Sequence, residues 1–516
     1  MEIKKDICKN ETSLWLATTP ATEFEQLPEG GGMEFDTTVV GAGIAGITTA
    51  LLLKKSGLKV ALIDSERIAA GVSGYTTGKV TAQHIVIYSY LIEKFGKKLA
   101  KQYAGANFGA IKMIKELIDE YSIECDFFEK TAYTYAETSE TLKQIYKELE
   151  AAKSLGLPAY FTKDVPLPIP SKGAICFSGQ GQFHPRKYLL ALAGQIPGRG
   201  SQIFEKTRAL TLKEGSPCTL YTDRGQIISE NIVISTHFPF YDKPGQYYAR
   251  MEAGRIYTFA MRLNSPFPDG VFISAEKDIY SFRSQPYENS ELVIAGGQEH
   301  VTGQVEDTSE RFRLLYSYVK QFFDIDHIEF CWSSQDNNTI DMVPYIGRYL
   351  PDSRHIYIAT GFNGWGMTHG TISAIILNSL ITGSSSPWQE VYDPSRFKLS
   401  RSGEKTLQET SAEDISKEDK KIIKEPENIL SGMDVKEGRI IDIEGTKIAV
   451  YKTRENEGIF LSPACTHMNC LVRFNDAEKS WDCPCHGSRF TFDGKVLNSP
   501  AIEALPVILD LRKNDK

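Results

Sequence analysis

The sequence predicts an α/β fold for most of the chain and a small all-β domain at its C-terminal end. Three observations lead to this prediction. A strand, a glycine-rich turn, a helix and a second strand follow one another between residues 35 and 63. Mixed helical and strand patterns then continue to about Asp393. Beyond a polar stretch, short alternating runs with Gly, Asn and Asp turns are typical of an antiparallel β domain of roughly 90 residues.

The first of these features is a βαβ unit. Phe35–Val40 and Lys59–Ile63 are short apolar strands, and Ile47–Lys55 between them has helical composition. A G-x-G-x-x-G turn occupies residues 41–46, and Asp64 follows the second strand. Glycines at these positions let backbone N–H groups approach a pyrophosphate, and an acidic residue there accepts from ribose hydroxyls. The unit therefore predicts a dinucleotide site, for either FAD or NAD.

The polar stretch marks a domain boundary. Residues 395–427 are rich in Ser, Lys, Glu and Asp and contain few large apolar residues, which is typical of a solvated linker. We predict a first part at residues 13–397, a linker at 398–424 and the β domain at 425–516. Strand-like runs in the β domain are Arg439–Ile443, Lys447–Tyr451, Gly458–Leu461, Gly494–Leu497 and Pro506–Leu511.

Composition limits the partners. The 516 residues carry a formal net charge of -8 with both signs interspersed, which gives no reason to expect nucleic acid or an anionic membrane as partner. No stretch approaches the apolar length of a signal-peptide core or a transmembrane helix, so we expect a cytoplasmic protein. Five of the nine cysteines are scattered, without the pattern of a disulfide framework, and four lie between Cys465 and Cys485. That clustering indicates a metal site.

Two loops carry the clustered cysteines, CTHMNC at residues 465–470 and CPCHGS at residues 483–488. Each loop offers a thiolate and an imidazole at short spacing, as a [2Fe–2S] centre with two Cys on one iron and two His on the other requires. The predicted ligands are Cys465, His467, Cys483 and His486. A Cys2His2 zinc site is the alternative, and it is disfavoured because zinc fingers separate the Cys pair from the His pair.

The last 90 or so residues resemble Rieske domains, and the CPCHGS loop is highly specific to that family. The resemblance implies a disulfide between Cys470 and Cys485, although a cytoplasmic setting leaves two free thiols as the alternative. It also implies that Ser488 donates a hydrogen bond to a cluster sulfide, unless it is a turn serine. Phe490 stands where high-potential members have a tyrosine, so we expect a lower potential.

The first part resembles the D-amino-acid-oxidase-like flavoproteins. The resemblance lies in the Gly/Ser-rich loop at residues 70–79, the strand at 231–237, and the segments DMVPYIG at 341–347 and TGFNGWGMTHG at 360–370. It implies FAD rather than NAD, because the NAD fingerprint needs no C-terminal glycine segment. We expect noncovalent FAD, with His84 as the one reservation. The implied FAD contacts are Gly41, Gly43, Ala45, Gly46, Asp64, Ser73, Thr77, Gly361, Gly364, Gly366, Met367 and Thr368.

Together the two parts resemble bacterial FAD-dependent oxidoreductases that end in a Rieske domain. That resemblance implies a Rossmann-like FAD part, at about residues 35–85, 195–240 and 335–390, interleaved with an α+β substrate part at about 86–194 and 241–334. The implied reaction is hydride removal from a carbon that bears an amine.

The substrate is less defined. Amino-acid oxidases of the family place an arginine where residues 332–336 (WSSQD) have none, which favours a substrate with a cationic group for Asp336 to pair, unless Asp336 is a helix cap or turn residue. Other pocket candidates are Lys79, His184, Tyr257, Arg283 and Trp365, each of which could equally be core or surface. The family's oxidases have an oxygen-activating lysine in the strand that matches residues 292–297, and none lies there.

We therefore expect a dehydrogenase that takes an amine or amino-acid-like substrate and passes electrons through the cluster to an unidentified one-electron acceptor. A Rieske oxygenase would need a mononuclear iron site, and the nine histidines offer no convincing cluster outside the C-terminal loops. A flavin and iron–sulfur carrier or sensor without enzymatic activity is the remaining alternative.

Overall fold

The computed structural model describes residues 7–30, 32–397 and 423–512. Within them the chain forms two compact units. The first takes in the described residues up to 237, together with 256–299 and 312–397. The second takes in residues 238–255 and 300–311 together with the described residues from 423 onward.

The first unit contains an eight-stranded sheet built around the predicted βαβ unit. Its inner strands run parallel and are buried on both faces, as the four consecutive apolar residues of Val60–Ile63 indicate. In spatial order the strands are Tyr345–Arg348, Ile356–Thr360, Gln226–Ile234, Met33–Val40, Val60–Ile63 and Gln202–Phe204. A hairpin of Ala209–Lys213 and Cys218–Thr222 extends from Gln226–Ile234.

A ten-stranded mixed sheet accompanies it. Antiparallel pairs such as Ser281–Tyr287 with Ser290–Val301 alternate with parallel ones such as Val271–Ser274 with Phe128–Ala136. The spatial order is Cys8–Asn10, Ile325–Thr339, Met251–Leu263, Ser290–Val301, Ser281–Tyr287, Val271–Ser274, Phe128–Ala136, Gly173–Gln182 and Lys79–Val80, with Ala159–Thr162 also paired to Gly173–Gln182.

Helices cover these sheets. Ile44–Lys55 is buried almost all round, because it packs against the parallel sheet and against Gly366–Ile381. The long helix Ile87–Tyr121 bends at Gly96, whose φ of 80° is compatible with glycine. The described helices are Leu14–Ala17, Ile44–Lys55, Ile87–Tyr121, Ser139–Ser154, Pro185–Gly194, Ser309–Lys320, Gly366–Ile381, Gln389–Tyr392 and Pro426–Ser431, with 3-10 turns at Val72–Gly74, Tyr247–Ala249 and Pro394–Arg396.

The C-terminal domain consists of two antiparallel four-stranded sheets. Its core contains the buried side chains of Trp481 and Phe490 together with the cysteines of both cluster loops. The strands are Gly438–Ile443, Thr446–Arg454, Glu457–Leu461 and Val507–Asp510 in one sheet, and Arg473–Asn475, Ser480–Asp482, Arg489–Thr491 and Val496–Asn498 in the other.

The predicted fold class, α/β with a small all-β C-terminal domain, is confirmed. The predicted linker falls almost entirely on residues 398–422, which lie outside the described residues, and the domain boundaries stay a prediction. Along the described part of the chain, no helix combines the length and the apolar character that crossing a bilayer requires.

Two of the five scattered cysteines form a disulfide that the sequence pattern does not predict. The structure joins Cys8 and Cys331 across 323 residues of sequence, with Cα atoms 6.1 Å apart. They meet because strand Cys8–Asn10 pairs with Ile325–Thr339 in parallel, which brings Cys8 opposite Ile328. No local pattern could reveal a pairing that depends on this register.

Candidate functional site

The glycine-rich turn of the first unit is tightly packed. A Cβ at Gly46 would lie 1.8 Å from the carbonyl oxygen of Gly41 and 2.9 Å from Oγ of Ser235. A Cβ at Gly41, where φ is +98°, would lie 2.5 Å from the carbonyl oxygen of Ser235. Both glycines are therefore needed to bring the helix and the two parallel strands into contact at this edge of the sheet.

Substitution of Gly46 by alanine should disrupt this turn. The added methyl group has no room, so we expect overpacking to cost about 1–3 kcal/mol of stability and to displace the turn. The purified variant should carry at least about tenfold less flavin, measured by absorbance per chain, and melt at a lower temperature. Gly194→Ala is the matched control, since its Cβ would meet no atom within 4 Å. Normal flavin content in Gly46→Ala would contradict the assignment.

The residues around the turn fit a dinucleotide. Gly43 is the N-cap of the helix Ile44–Lys55 and has no side chain of its own to cap it, which suits the approach of an anion such as a pyrophosphate. Ser73 Oγ accepts a hydrogen bond from the N–H of Ile44 at 3.0 Å. Asp64 accepts from the N–H of Ala42 at 2.8 Å, and burial raises the pKa of its carboxyl group. The second carboxylate oxygen accepts from the N–H of Glu66.

The C-terminal glycine segment meets the same turn. A Cβ at Gly370 would lie 2.6 Å from Ile44 and 3.1 Å from the backbone nitrogen of Ala45, so the helices Gly366–Ile381 and Ile44–Lys55 pack closely near their N-termini. The structure thus brings together the segments that hold the twelve predicted FAD contacts, and the individual contacts stay predictions. They are Gly41, Gly43, Ala45, Gly46, Asp64, Ser73, Thr77, Gly361, Gly364, Gly366, Met367 and Thr368.

His84 lies beside this segment with both ring nitrogens engaged. Its Nδ1 is 2.6 Å from the hydroxyl of Tyr103, and its Nε2 is 2.9 Å from the carbonyl oxygen of Thr81. The ring stacks on Trp365, with centroids 4.4 Å apart. Both ring nitrogens of His84 are thus engaged within the protein, and noncovalent attachment of FAD stays a prediction. Trp365 in turn is the residue from which the helix Gly366–Ile381 begins.

Lys79 is the last residue of the loop predicted to pass the flavin and the first residue of the two-residue strand Lys79–Val80. Its side chain is half-buried in the protein. Burial and the neighbouring Arg283 lower the pKa of the Lys79 amine to about 7. An amine that titrates near neutral pH in such a position is a candidate general base.

Asp336 is tied to the loop before the helix Gly366–Ile381. Its carboxylate accepts from the N–H of Gly364 at 2.6 Å and from its neighbour Asn337 at 2.8 Å. His237 Nε2 lies 3.3 Å away. These contacts match the cap or turn role that the sequence left open. A carboxylate offers about four acceptor positions, and these contacts occupy three of them.

Two other candidates support the scaffold. Arg283 is completely buried, and its guanidinium donates to the carbonyl oxygens of Thr77 and Phe183, which fixes the predicted flavin loop. His184 caps the helix Pro185–Gly194 by accepting from the N–H of Lys187. Burial lowers the pKa of His184 to about 3, so the ring stays neutral and able to accept. Their catalytic roles stay predictions without geometric support.

The cluster loops of the second unit form matching sulfur sites. Cys465 Sγ accepts from the backbone N–H groups of His467 and Met468, and Cys483 Sγ accepts from those of Cys485 and His486. Each sulfur thus sits above the N–H groups two and three residues further on, an arrangement that stabilises a thiolate. A hydrogen bond from Cys483 lowers the pKa of Cys465 to about 7, and the same bond raises that of Cys483.

The two histidines complete a ligand set. The rings of His467 and His486 lie 5.0 Å apart at 88°, and burial lowers the pKa of each to about 4. Both are therefore neutral at pH 7, as metal ligands must be. The Nδ1 atom of each is buried without a hydrogen-bond partner among the described residues. Buried polar atoms are almost always paired, so two facing orphan nitrogens fit a bound metal cluster.

Three further residues surround this site. The structure joins Cys470 and Cys485 in a disulfide between the two loops, with Cα atoms 6.5 Å apart. Ser488 forms a hydrogen bond with the Cys465 sulfur and accepts from the N–H of Ala501 at 3.0 Å. Phe490 is fully buried in the core, with no hydroxyl to offer the cluster.

The first unit has a glycine-rich turn that fits a dinucleotide, and the second unit has two Cys and two His on paired loops. These two sites define the class of protein, a flavin and iron–sulfur oxidoreductase. Comparison with known families agrees. Residues 36–380 match the FAD dependent oxidoreductase family, and residues 428–509 match the Rieske [2Fe-2S] domain. The chain belongs to the FAD-dependent oxidoreductases of the D-amino-acid-oxidase type and carries a C-terminal Rieske domain. It is an enzyme whose cofactors are FAD and a [2Fe–2S] cluster.

One relative aligns with nearly the whole chain. The Bacillus subtilis protein YhfW, which is named for a Rieske 2Fe-2S iron-sulfur centre, is 36% identical over 496 residues, or 96% of this chain and 97% of YhfW. The γ-glutamylputrescine oxidoreductase of Escherichia coli is 22% identical and aligns with 68% of this chain and 84% of its own length.

Solved structures share the fold of the first part. Glycine oxidase from Geobacillus kaustophilus superimposes with a TM-score of 0.60 at 19% identity, over 71% of this chain and all of that one. L-proline dehydrogenase from P. horikoshii gives the same TM-score at 20% identity, over 72% of this chain and 98% of that one.

Proposed function

We propose that the protein is a dehydrogenase that oxidises a C–N bond of an amine or amino-acid-like substrate to an imine and delivers the electrons through its Rieske cluster to a one-electron acceptor. The observation that carries this proposal is the presence in one chain of a dinucleotide cradle and a complete Cys2His2 ligand set. When bound, FAD accepts a hydride and the [2Fe–2S] centre takes up one electron at a time.

The substrate class is supported by similarity and by one residue. The proteins that share the fold or align with the chain are named for glycine, L-proline and γ-glutamylputrescine, all of which contain an amine nitrogen. An ammonium group must lose a proton before its α-carbon can release a hydride. We assign Lys79 to accept that proton, because burial and Arg283 lower the pKa of its amine to about 7 and because it ends the predicted flavin loop.

The absence of an arginine at residues 332–336 favours an amine without an α-carboxylate. Asp336, whose contacts occupy three of about four acceptor positions, is the group we propose to pair a second, cationic end of the substrate. The strand Ser290–Val301 contains no lysine at the place where the related oxidases have one. This supports transfer to the cluster in preference to reduction of O2.

An anaerobic panel of amines tests the proposal. Simple α-amino acids, secondary amines and diamines are each mixed with the purified holoprotein, and bleaching of the flavin absorbance is followed. We expect at least one class to bleach the flavin, with diamines faster than simple α-amino acids because Asp336 favours a cation. If dithionite bleaches the flavin and no amine does, the proposal fails and the carrier or sensor function replaces it.

A further inference from the structure

Two short segments, residues 238–255 and 300–311, belong to the same compact unit as the Rieske domain. In the sequence both lie within the range that matches the FAD dependent oxidoreductase family. We call these two segments the seat. Thr302 donates from its N–H to the carbonyl oxygen of Ala253 at 2.9 Å, so the two segments are joined to each other.

The seat places one aromatic ring against both cluster histidines. The ring centroid of Tyr248 is 5.5 Å from that of His467 and 5.1 Å from that of His486, and both contacts are edge-on. The carboxylate of Asp242 fixes this turn by accepting from the N–H of Tyr247 at 2.6 Å and from that of Tyr248 at 3.4 Å. Asp242 therefore holds the backbone of the turn that carries the ring.

The seat also touches the second cluster loop through backbone. A Cβ at Gly303 would lie 2.7 Å from the nitrogen of Pro484 and 2.9 Å from the carbonyl carbon of Cys483. Gly303 has a φ of +73°, which also favours glycine. No side chain fits between this residue and the loop, so the seat and the second cluster loop are in direct contact.

Charged groups anchor the contact on one side. Arg255 of the seat is only 1% exposed and forms an ion pair with Glu478. Glu478 also binds Arg489 at 2.6 Å, and Arg489 binds Asp482 at 2.9 Å, next to the cluster ligand Cys483. A buried charged pair of this kind is costly to break, because either partner alone would be left uncompensated.

Hydrogen bonds anchor the other side. Asp476 accepts from the N–H groups of Thr308 at 2.9 Å and Ser309 at 3.3 Å, at the start of the helix Ser309–Lys320. Burial raises the pKa of Asp476, but these hydrogen bonds outweigh it and hold the pKa below its usual value. The hydroxyl of Thr308 donates to Asn475 at 2.7 Å.

We propose that residues 238–255 and 300–311 form a built-in seat for the Rieske domain, and that Tyr248 on this seat is a positioning residue that closes the histidine side of the cluster site to solvent. Three observations support this proposal. The contact is anchored on two sides, its backbone contact leaves no space for a side chain, and an aromatic ring lies against both imidazoles. The inference concerns access to the cluster and does not depend on the substrate or on turnover.

Iron release from the full-length holoprotein tests this. The anaerobic, dithionite-reduced protein is mixed with bathophenanthroline disulfonate, a bulky ferrous chelator, and the coloured iron complex is followed. We expect Tyr248→Ala to release cluster iron about tenfold faster than wild type, because the ring that covers both imidazoles is lost. Tyr248→Phe, which keeps the ring, and Leu497→Ala, at an exposed position of the same domain, should stay near the wild-type rate.

A second variant keeps the test independent of Tyr248. Thr308→Val removes the hydroxyl, which donates to Asn475 or Asp476 and accepts from the N–H of Ala477, without touching the cluster loops, so it should loosen the seat. We expect faster iron release and faster amide hydrogen exchange in residues 238–255, the latter measurable even in a variant that has lost iron. Wild-type iron release in Tyr248→Ala, or wild-type exchange in Thr308→Val, would overturn the proposal. Since neither measurement involves an amine, failure here is distinct from failure of the proposed reaction.

Discussion

Replacement of Cys483 by serine in the full-length protein is expected to abolish the cluster and lower turnover with a one-electron acceptor by at least about tenfold, since a [2Fe–2S] centre needs both thiolates. Bleaching of the flavin by an amine substrate should continue at nearly the wild-type rate. The full chain is needed because removal of the Rieske domain would uncover the seat residues, among them the buried Arg255.

Three measurements test this prediction. Iron content should fall, the EPR signal of the reduced protein with its low average g should disappear, and steady-state reduction of a ferricenium salt should be slow. His486→Cys should likewise lose the mixed-ligand EPR spectrum. Cys218→Ser is the matched control, because Cys218 is a buried free cysteine of the first unit whose Sγ lies within hydrogen-bond distance of backbone carbonyls, which a serine can also bond. Unchanged turnover in Cys483→Ser would remove the cluster from the electron path.

The sequence predicts the parts of both sites that depend on short spacing. The cluster ligands lie within a few residues of one another on each loop, and the glycines of the dinucleotide turn lie within six residues, so local chemistry reveals them. The parallel strands were also predictable, because buried strands such as Val60–Ile63 are continuously apolar. By contrast, the 15-residue strand Ile325–Thr339 carries acidic and amide residues along its length, so its sequence lacks the apolar pattern that predicts a buried strand.

Contacts across long separations could not be predicted. Tyr248 lies 219 residues before His467 in the sequence. Neither Tyr248 nor Gly303 belongs to a recognisable motif. The role of Asp336 depends on the N–H of Gly364, which a chain reversal brings to it. For the same reason the sequence could not separate Arg283, whose guanidinium binds backbone carbonyl oxygens of the scaffold, from Lys79, whose amine has a pKa lowered to about 7 by burial and by Arg283.

Substitution of Lys79 by methionine is expected to slow substrate-driven flavin reduction by about 10²–10⁴-fold, the usual range for loss of a general base. The wild-type rate should rise with pH through about 7, because burial and Arg283 lower the pKa of Lys79 to about 7 and only the neutral amine can accept a proton. That inflection should be missing in Lys79→Met. Anaerobic stopped-flow measurements of flavin absorbance between pH 5.5 and 9 give both results.

The same substitution should make the protein more stable. The pKa of the Lys79 amine is lower in the folded state than the value near 10.5 in the unfolded chain. The unfolded state therefore binds the proton more tightly, and at any pH below about 10.5 this difference lowers the free energy of unfolding. Methionine keeps the length of the side chain and removes this destabilisation, which is on the order of a few kcal/mol at pH 7. We therefore expect a higher melting temperature at pH 7 and a smaller gain at pH 9.

Slower flavin reduction together with higher stability in Lys79→Met would show that the lysine is functional, because loss of a structural residue would lower both the rate and the stability. Lys153→Met, at an exposed position on the helix Ser139–Ser154, is the control for the loss of one positive charge and should change neither quantity. If Lys79→Met reduces the flavin at the wild-type rate with the same pH profile, the proton acceptor is another group, and the assignment of Lys79 fails while the proposed reaction stands.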